Sequence, residues 1–160
     1  MNLIGGPDWA VALFAAILIA AAIQDGWRNT ISNLLVIGLL VGGLASAALI
    51  GFDVSIWQNF AVLAAMLILG TFAFSTGLLG GGDVKLLAVT AFWFTPSDVL
   101  TFLLVTVLAG GVLVMIWMPI RMSMKGKSAL ATLKERSLPY GIAIALGGLL
   151  TAAIERGVFA

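Results

Sequence analysis

Two aspartates stand where the apolar runs of this chain are interrupted. Asp83 follows three consecutive glycines in the segment STGLLGGGDVKLLAV (75–89), and Asp25 opens the segment DGWRNTISN (25–33). The chain has no histidine and no cysteine, which excludes catalytic pairs and zinc sites built from those residues. Two close carboxylates that share one proton remain a feasible catalytic device, because one serves as a base while the other serves as an acid.

Such a pair would hydrolyse a peptide bond without any cofactor. The ionised carboxylate takes a proton from a water molecule, and the water attacks the carbonyl carbon. The protonated carboxyl meanwhile donates a hydrogen bond to the carbonyl oxygen as charge builds there. A metal site on the same two residues would need more oxygen ligands than the neighbouring sequence offers, so we expect neither metal nor cofactor.

The three glycines predict a break in regular structure directly before Asp83. Glycine weakens a helix interior, so residues 80–82 are predicted to be non-helical. Irregular backbone at membrane depth is tolerated where it lines a watery cavity, and an extended peptide could pair with it through main-chain hydrogen bonds. Gly80 and Gly82 are therefore candidate substrate-binding residues. The alternative is a packing or hinge role for the glycines.

Each aspartate also has a purely structural interpretation. Asp83 could cap the N-terminus of the helix that follows it. Asp25 could belong to a turn, because Asp-Gly is a common turn pair. Counting residues favours a joint role: Asp25 lies about 24 Å of helix from Trp9, and Asp83 lies about 22 Å from Asp98. In a hydrocarbon core of about 30 Å, both carboxylates then come to the same level near one face.

The rest of the chain predicts a membrane protein. Of its 160 residues, 62% are hydrophobic and 9% are charged, and the mean hydropathy is +1.18. This predicts an all-α, polytopic fold in which residues 1–160 form a single transmembrane domain of about six helices. The apolar runs cover residues 9–24, 31–51, 56–79, 84–95, 98–120 and 138–154. Membrane lipid is an expected partner, and nucleic acid is not.

The basic residues predict the orientation. Seven of the eight Lys and Arg residues fall in alternate connections, on one side of six alternating spans. Basic connections face the cytoplasm, so both termini are predicted to lie outside. The segment 121–137 carries most of this charge; it is either a solvated loop that sets the topology or an interfacial helix on anionic lipid.

Both aspartate segments resemble those of a known family. GGGD (80–83) matches the Gly-x-Gly-Asp motif of intramembrane aspartyl proteases, and GGGDVKLLA resembles the form found in type IV prepilin peptidases. DGWRNTISN is similar to that family's pattern of Asp, five residues and Ile-Pro-Asn, with Ser32 in place of the proline. LPYGIAIALGG (138–148) resembles the Pro-Tyr segment that opens the family's last helix.

The resemblance implies a membrane endopeptidase with Asp25 and Asp83 as its catalytic pair. It implies that the substrates are type IV prepilin precursors, whose short basic leader is cut at the cytoplasmic face of the inner membrane. Larger family members carry an N-terminal region with a Cys-x-x-Cys pair that is associated with methylation. This chain has no cysteine, so it resembles the short tight-adherence (Flp) pilus type, and we expect a peptidase without methyltransferase activity.

Other interpretations remain open from the sequence. Archaeal preflagellin peptidases are related to this family. A small ion-coupled transporter or channel would also contain intramembrane aspartates and broken helices. A third possibility is a non-catalytic assembly subunit of a secretion machine. The substrate's identity and the oligomeric state are not determined by these patterns.

Overall fold

The structure, a computed structural model, describes residues 1–125 and 139–158, and this part of the chain is built of helices and their connections. No strand occurs in the described residues, which confirms the all-α class. The helices are α1 (Asp8–Arg28), α2 (Asn33–Ile50), α3 (Ile56–Ser75), α4 (Gly81–Ala91), α5 (Pro96–Lys125) and α6 (Tyr140–Glu155).

The surface of the helix bundle is apolar, as in a protein that lies in lipid. Helices α1, α2, α3 and the Pro96–Trp117 part of α5 are long and apolar enough to cross a membrane, while α6 is a shorter apolar helix. Phe72 on α3 is 73% exposed and Val107 on α5 is 71% exposed. Large apolar side chains exposed all around a bundle require lipid to cover them. The polytopic membrane class is thus confirmed.

One end of the bundle gathers both termini. Arg156, just beyond α6, donates to the Asp8 carboxylate at 2.6 Å and to the Gly6 carbonyl at 2.7 Å. The Asn2 amide donates to Glu155 at 3.2 Å. We call this end, with residues 1–8, 50–56, 93–96 and 155–156, the termini end. The prediction that both termini share one side is confirmed by these contacts.

The opposite end, which we call the site end, contains the connections around residues 28–33, 75–81 and 139–140. Helix α4 starts there but has only 11 residues, about 16 Å of helix. Its exit is fixed at the termini end, because the buried amide of Asn59, near the start of α3, donates to the Phe92 and Phe94 carbonyls at 2.8 and 3.1 Å. The start of α4 is therefore held inside the bundle.

The depth of that start can be read from its neighbour on α3. A Cβ on Gly70 would lie 2.6 Å from Val84, so the two helices touch at this level. Gly70 is five residues before the end of α3 at Ser75, about 8 Å along the axis. Asp83, one residue before Val84, thus lies about one helical turn below the site end of α3.

Close packing of small residues brings α6 to the middle of the bundle, where it contacts α1, α4 and α5. A Cβ on Gly147 would collide with the Thr106 hydroxyl oxygen and would lie 3.0 Å from the Thr106 Cα. A Cβ on Gly148 would lie 2.8 Å from Leu18 and 2.9 Å from Thr90. Because α6 approaches α1 and α4 so closely, its first turn lies beside the parts of both helices that carry the aspartates.

The structure corrects the predicted helix boundaries at three places. Residues 80–82 were predicted to be non-helical, which is wrong for Gly81 and Gly82: α4 begins at Gly81. The first-turn N–H groups of a helix have no intrahelical acceptor, so glycines weaken that turn less than the interior. The third helix ends at Ser75 instead of 79, since Gly77 turns the chain with a φ of 76°. The interpretation of Asp25 as a turn residue is also wrong, because α1 continues to Arg28.

The basic segment 121–137 falls largely outside the described residues. Residues 121–125 continue α5, and the choice between a solvated loop and an interfacial helix concerns residues that are not described.

Candidate active site

The first turn of α4 holds the Asp83 carboxyl close to its own backbone. Gly80 precedes the helix in an extended conformation, with φ −77° and ψ 152°. Its N–H donates to Asp83 Oδ2 at 3.1 Å. The other oxygen, Oδ1, is buried and has no hydrogen-bond partner among the described residues. The backbone therefore fixes one oxygen of this carboxyl, and the described part of the chain supplies no donor to the other.

Asp25 projects from the last turn of α1 and is held by α6. Its side chain is 4% exposed, and its Oδ2 accepts the Gly141 N–H at 2.8 Å. Gly141 is the second residue of α6, so its N–H is one of the helix-start donors that lack an intrahelical partner. A Cβ on Gly141 would lie within 3.0 Å of the Asp25 Cβ, Cγ and Oδ2. Only glycine at 141 leaves room for this carboxyl.

The two carboxyls meet in one cavity of about 290 Å³. They are close enough for their charges to interact, and the Gly141 N–H donates to the Asp25 carboxyl. The cavity is lined by Asp25, Asn29, Thr30, Ile31, Gly80, Gly81, Gly82 and Asp83. The structure thus brings together all four residues that the sequence singled out, Asp25, Asp83, Gly80 and Gly82.

The electrostatic situation favours a shared proton. None of the described residues that line the cavity is basic. Lys85, two residues after Asp83, is exposed and donates to the Asn33 carboxamide at 3.0 Å. Two ionised carboxylates at close range and mostly out of water repel each other strongly, and the simplest relief is one proton held between them. A pair in that state contains an acid and a base together.

The three glycines before Asp83 have different surroundings. A Cβ on Gly80 would lie 2.8 Å from Asp83 Oδ2, so any side chain there would displace the carboxyl. On Gly82 the same atom would lie 3.2 Å from the Ile31 Cβ, which means that Ile31 fills the space beside it. Gly81 is more open, with its nearest contact at 3.7 Å on Phe74. The assignment of Gly80 and Gly82 to substrate binding stays a prediction.

The connection between α1 and α2 forms one wall of the cavity. Ser32 caps α2 by accepting the Leu34 N–H at 3.2 Å, and its own N–H donates to the Gln24 carboxamide at 2.7 Å. Its φ of −66° is the value that proline would impose. Ser32 therefore supports the same backbone shape as the proline of the family pattern, and side-chain hydrogen bonds hold it in place of the ring.

The sequence did not assign a role to Gly141 or Asn29. Every residue except proline carries a backbone N–H group, so the sequence does not indicate which N–H group donates to Asp25. The one indication of a role for Gly141 was that the Pro-Tyr-Gly segment resembles a segment of the family. In the described residues there is no group of three or more acidic, His or Cys side chains placed to hold a metal ion.

A comparison with protein families identifies the kind of protein that contains this cavity. The model of the type IV leader peptidase family matches residues 12–115, a stretch that includes both aspartates and the glycines between α3 and α4. The chain belongs to the type IV leader peptidase family. Membership in the type IV leader peptidase family identifies a membrane-embedded peptidase and disfavours the transporter, channel and assembly-subunit interpretations. Comparisons with curated proteins and with solved structures give no match.

Proposed function

We propose that this chain is an aspartic endopeptidase that removes the short leader of type IV prepilin precursors, of the Flp-like kind, at the cytoplasmic face of the inner membrane. The observation that carries the proposal is the buried pair Asp25 and Asp83 in one cavity at the site end. Family membership supports peptidase chemistry. The absence of histidine and cysteine leaves the carboxyls as the acid–base groups.

The reaction follows from one proton shared by two carboxyls. The ionised carboxylate removes a proton from a water molecule, and the water oxygen bonds to the carbonyl carbon of the scissile peptide. The protonated carboxyl transfers its proton to the carbonyl oxygen, which gives a neutral gem-diol. The carboxyl that took the water proton then gives it to the peptide nitrogen as the carbon–nitrogen bond breaks. The other carboxylate takes a proton from one hydroxyl of the diol, which becomes the new carboxyl group, and the pair returns to its starting state.

The backbone donors have a clear part in this scheme. Gly141 N–H and Gly80 N–H each fix one oxygen of a carboxyl. Fixed carboxyls do not need to reorient as charge moves, which is the main contribution that a preorganised site makes. Asp83 Oδ1 has no hydrogen-bond partner among the described residues, and in this scheme it pairs with the water or with the substrate carbonyl group.

The cytoplasmic side is supported by charge. Arg28 and Lys85 are both exposed near the site end, and residues 121–136, which begin in the last turns of α5 and precede α6, carry five more basic residues. Positively charged connections stay on the cytoplasmic side of a membrane. A precursor whose leader lies in the cytoplasm and whose hydrophobic helix enters the membrane would present the bond between them at this level.

Co-expression with a Flp-type prepilin precursor tests the proposal, with a leader-sized mobility shift as the readout. Asp25→Asn and Asp83→Asn should each abolish the shift, and the double variant should be no worse, because groups that act as a unit are not additive. Asp53→Asn is the matched control: Asp53 is exposed at the termini end, where it accepts the Ser55 hydroxyl.

Near-normal cleavage by either single variant would overturn the proposed pair. Activity against pH should be bell-shaped, because acid protonates both carboxyls and removes the base, whereas alkali ionises both and removes the acid. The acid and alkaline limbs of this profile report the titration of the coupled pair and not of either aspartate alone. Loss of cleavage in a chelator, with recovery on addition of zinc, would contradict the metal-free scheme.

A further inference from the structure

Asn29 lines the cavity beside the two aspartates, and the catalytic scheme gives it no part. It lies directly after α1 and caps the C-terminus of that helix, and its N–H donates to the Asp25 carbonyl at 2.8 Å. Its φ is 50° and its ψ is 39°, and among the described residues it is the one non-glycine with a positive φ. The backbone thus turns at Asn29 in a way that holds its side chain at the cavity wall.

The carboxamide of Asn29 has an unused hydrogen-bonding group. Its Oδ1 is buried and has no hydrogen-bond partner among the described residues. Asp83 Oδ1, in the lining of the same cavity, is in the same condition. A buried acceptor without a donor is unfavourable, and native structures rarely keep one without a ligand or water to satisfy it. Two such acceptors in one cavity indicate that a molecule with hydrogen-bond donors occupies it.

The backbone conformation at this position suits glycine or asparagine, because asparagine is among the few non-glycine residues that readily adopt a positive φ. Glycine adopts a positive φ without steric cost and is the usual residue just past a helix end. A carboxamide adds one acceptor and two donors, which are the groups that pair with a peptide unit. Such hydrogen bonds are made to the main chain of a substrate and do not depend on its side chains.

We propose that Asn29 is a substrate-binding residue whose carboxamide hydrogen-bonds the main chain of the precursor next to the bond that Asp25 and Asp83 cleave. This inference rests on the proposed peptidase function and extends it to a residue outside the aspartate pair. The contact exists in the ground state as well as in the transition state. Its loss therefore weakens binding without slowing the chemical step.

Asn29→Gly is the decisive variant, since it keeps the backbone conformation and removes only the carboxamide. With purified enzyme and a precursor peptide that spans the leader and the cleavage site, KM should rise about tenfold while kcat stays within twofold. Asn29→Ala should raise KM as much and should also lower the unfolding temperature, because alanine is strained at this φ. Asn2→Gly at the termini end is the control and should leave KM unchanged.

An unchanged KM in Asn29→Gly would overturn the inference and would mean that water alone satisfies the carboxamide. A loss of kcat at unchanged KM would overturn it as well, because it would place Asn29 in the chemical step. Both results leave the proposed function standing, provided that the unaltered chain cleaves the peptide. If the unaltered chain does not cleave any prepilin precursor, the proposed function fails, and this inference fails with it.

Discussion

At the residue scale, the site depends on backbone groups more than on side chains. The Asp25 carboxyl accepts the Gly141 N–H, and it also occupies the space that a Cβ on Gly141 would need. The Asp83 carboxyl similarly reaches back to Gly80. Glycine at both positions lets the backbone approach a carboxyl closely, which side chains at those positions would prevent.

Gly141→Ala should reduce kcat by at least about 100-fold, because the added Cβ would lie within 3.0 Å of three Asp25 atoms and would move the carboxyl. KM should change little, and the pH profile should shift, since the N–H contact with Asp25 is altered. Gly26→Ala is the matched control: its Cβ would make an ordinary 3.5 Å contact with Ile142. An unaltered kcat and pH profile in Gly141→Ala would show that Gly141 does not position Asp25.

Gly80→Ala and Gly81→Ala form a second pair. Alanine at 80 would bring a Cβ to 2.8 Å from Asp83 Oδ2, whereas alanine at 81 meets nothing closer than 3.7 Å. Cleavage should fall at least tenfold in Gly80→Ala and stay near normal in Gly81→Ala, as measured by precursor processing at matched protein levels. Equal activities would mean that the Gly80 contact with Asp83 is dispensable.

At the element scale, the short helix α4 and the central helix α6 create the site. Asn59 fixes the exit of α4, so its start stays below the site end of α3. The close approach of α6 to α5 at Gly147 and Thr106 fixes where the first turn of α6 lies. Small residues at helix crossings allow such approaches in membranes, where burial of apolar surface contributes little.

Gly147→Ala should destabilise the bundle by about 1–3 kcal/mol, because its Cβ would collide with both the hydroxyl and the Cα of Thr106. Gly111→Ala is the control on α5, since no described atom lies within 4 Å of the Cβ it would add. Thermal unfolding in detergent should give a clear drop in midpoint for the first variant only. Equal midpoints would contradict the tight α5–α6 crossing.

At the scale of the whole molecule, the basic residues and the positions of the termini predict the same orientation of the bundle in the membrane. Both termini lie at one end, and the carboxyl cavity lies toward the other. If the basic connections are cytoplasmic, the cavity opens to the compartment in which precursors are made. Asp83 lies about one helical turn below the end of α3, which keeps the pair near that face without placing it at the bilayer centre.

Reporter fusions test this orientation directly. Fusions at 53 and 98 should report an outer location, and a fusion at 128 should report the cytoplasm, because seven of the eight basic residues lie on that side. A cytoplasmic signal at 53 or 98 would reverse the topology. Cleavage at the cytoplasmic face would then be excluded for this cavity.

The amino-acid sequence alone predicted the class of protein and singled out the two aspartates of the candidate site. Each apolar side chain favours lipid over water whatever its contacts are, so the composition predicts a bundle of membrane helices before any contact is known. Asp25 and Asp83 stand out because a charge in an apolar run is costly wherever the helices go. The break at 80–82 was overestimated, since the low helix propensity of glycine matters less in a first turn than in an interior.

The tertiary structure alone decided what surrounds the aspartates. The Gly141 N–H meets Asp25 although the two residues are 116 positions apart. Ile31 fills the space beside Gly82, and Asn29 lines the cavity. Each of these contacts depends on how closely α6 and the 29–32 connection pack against α1 and α4. Backbone N–H groups and glycines occur throughout the chain, and only packing selects which of them touch a carboxyl.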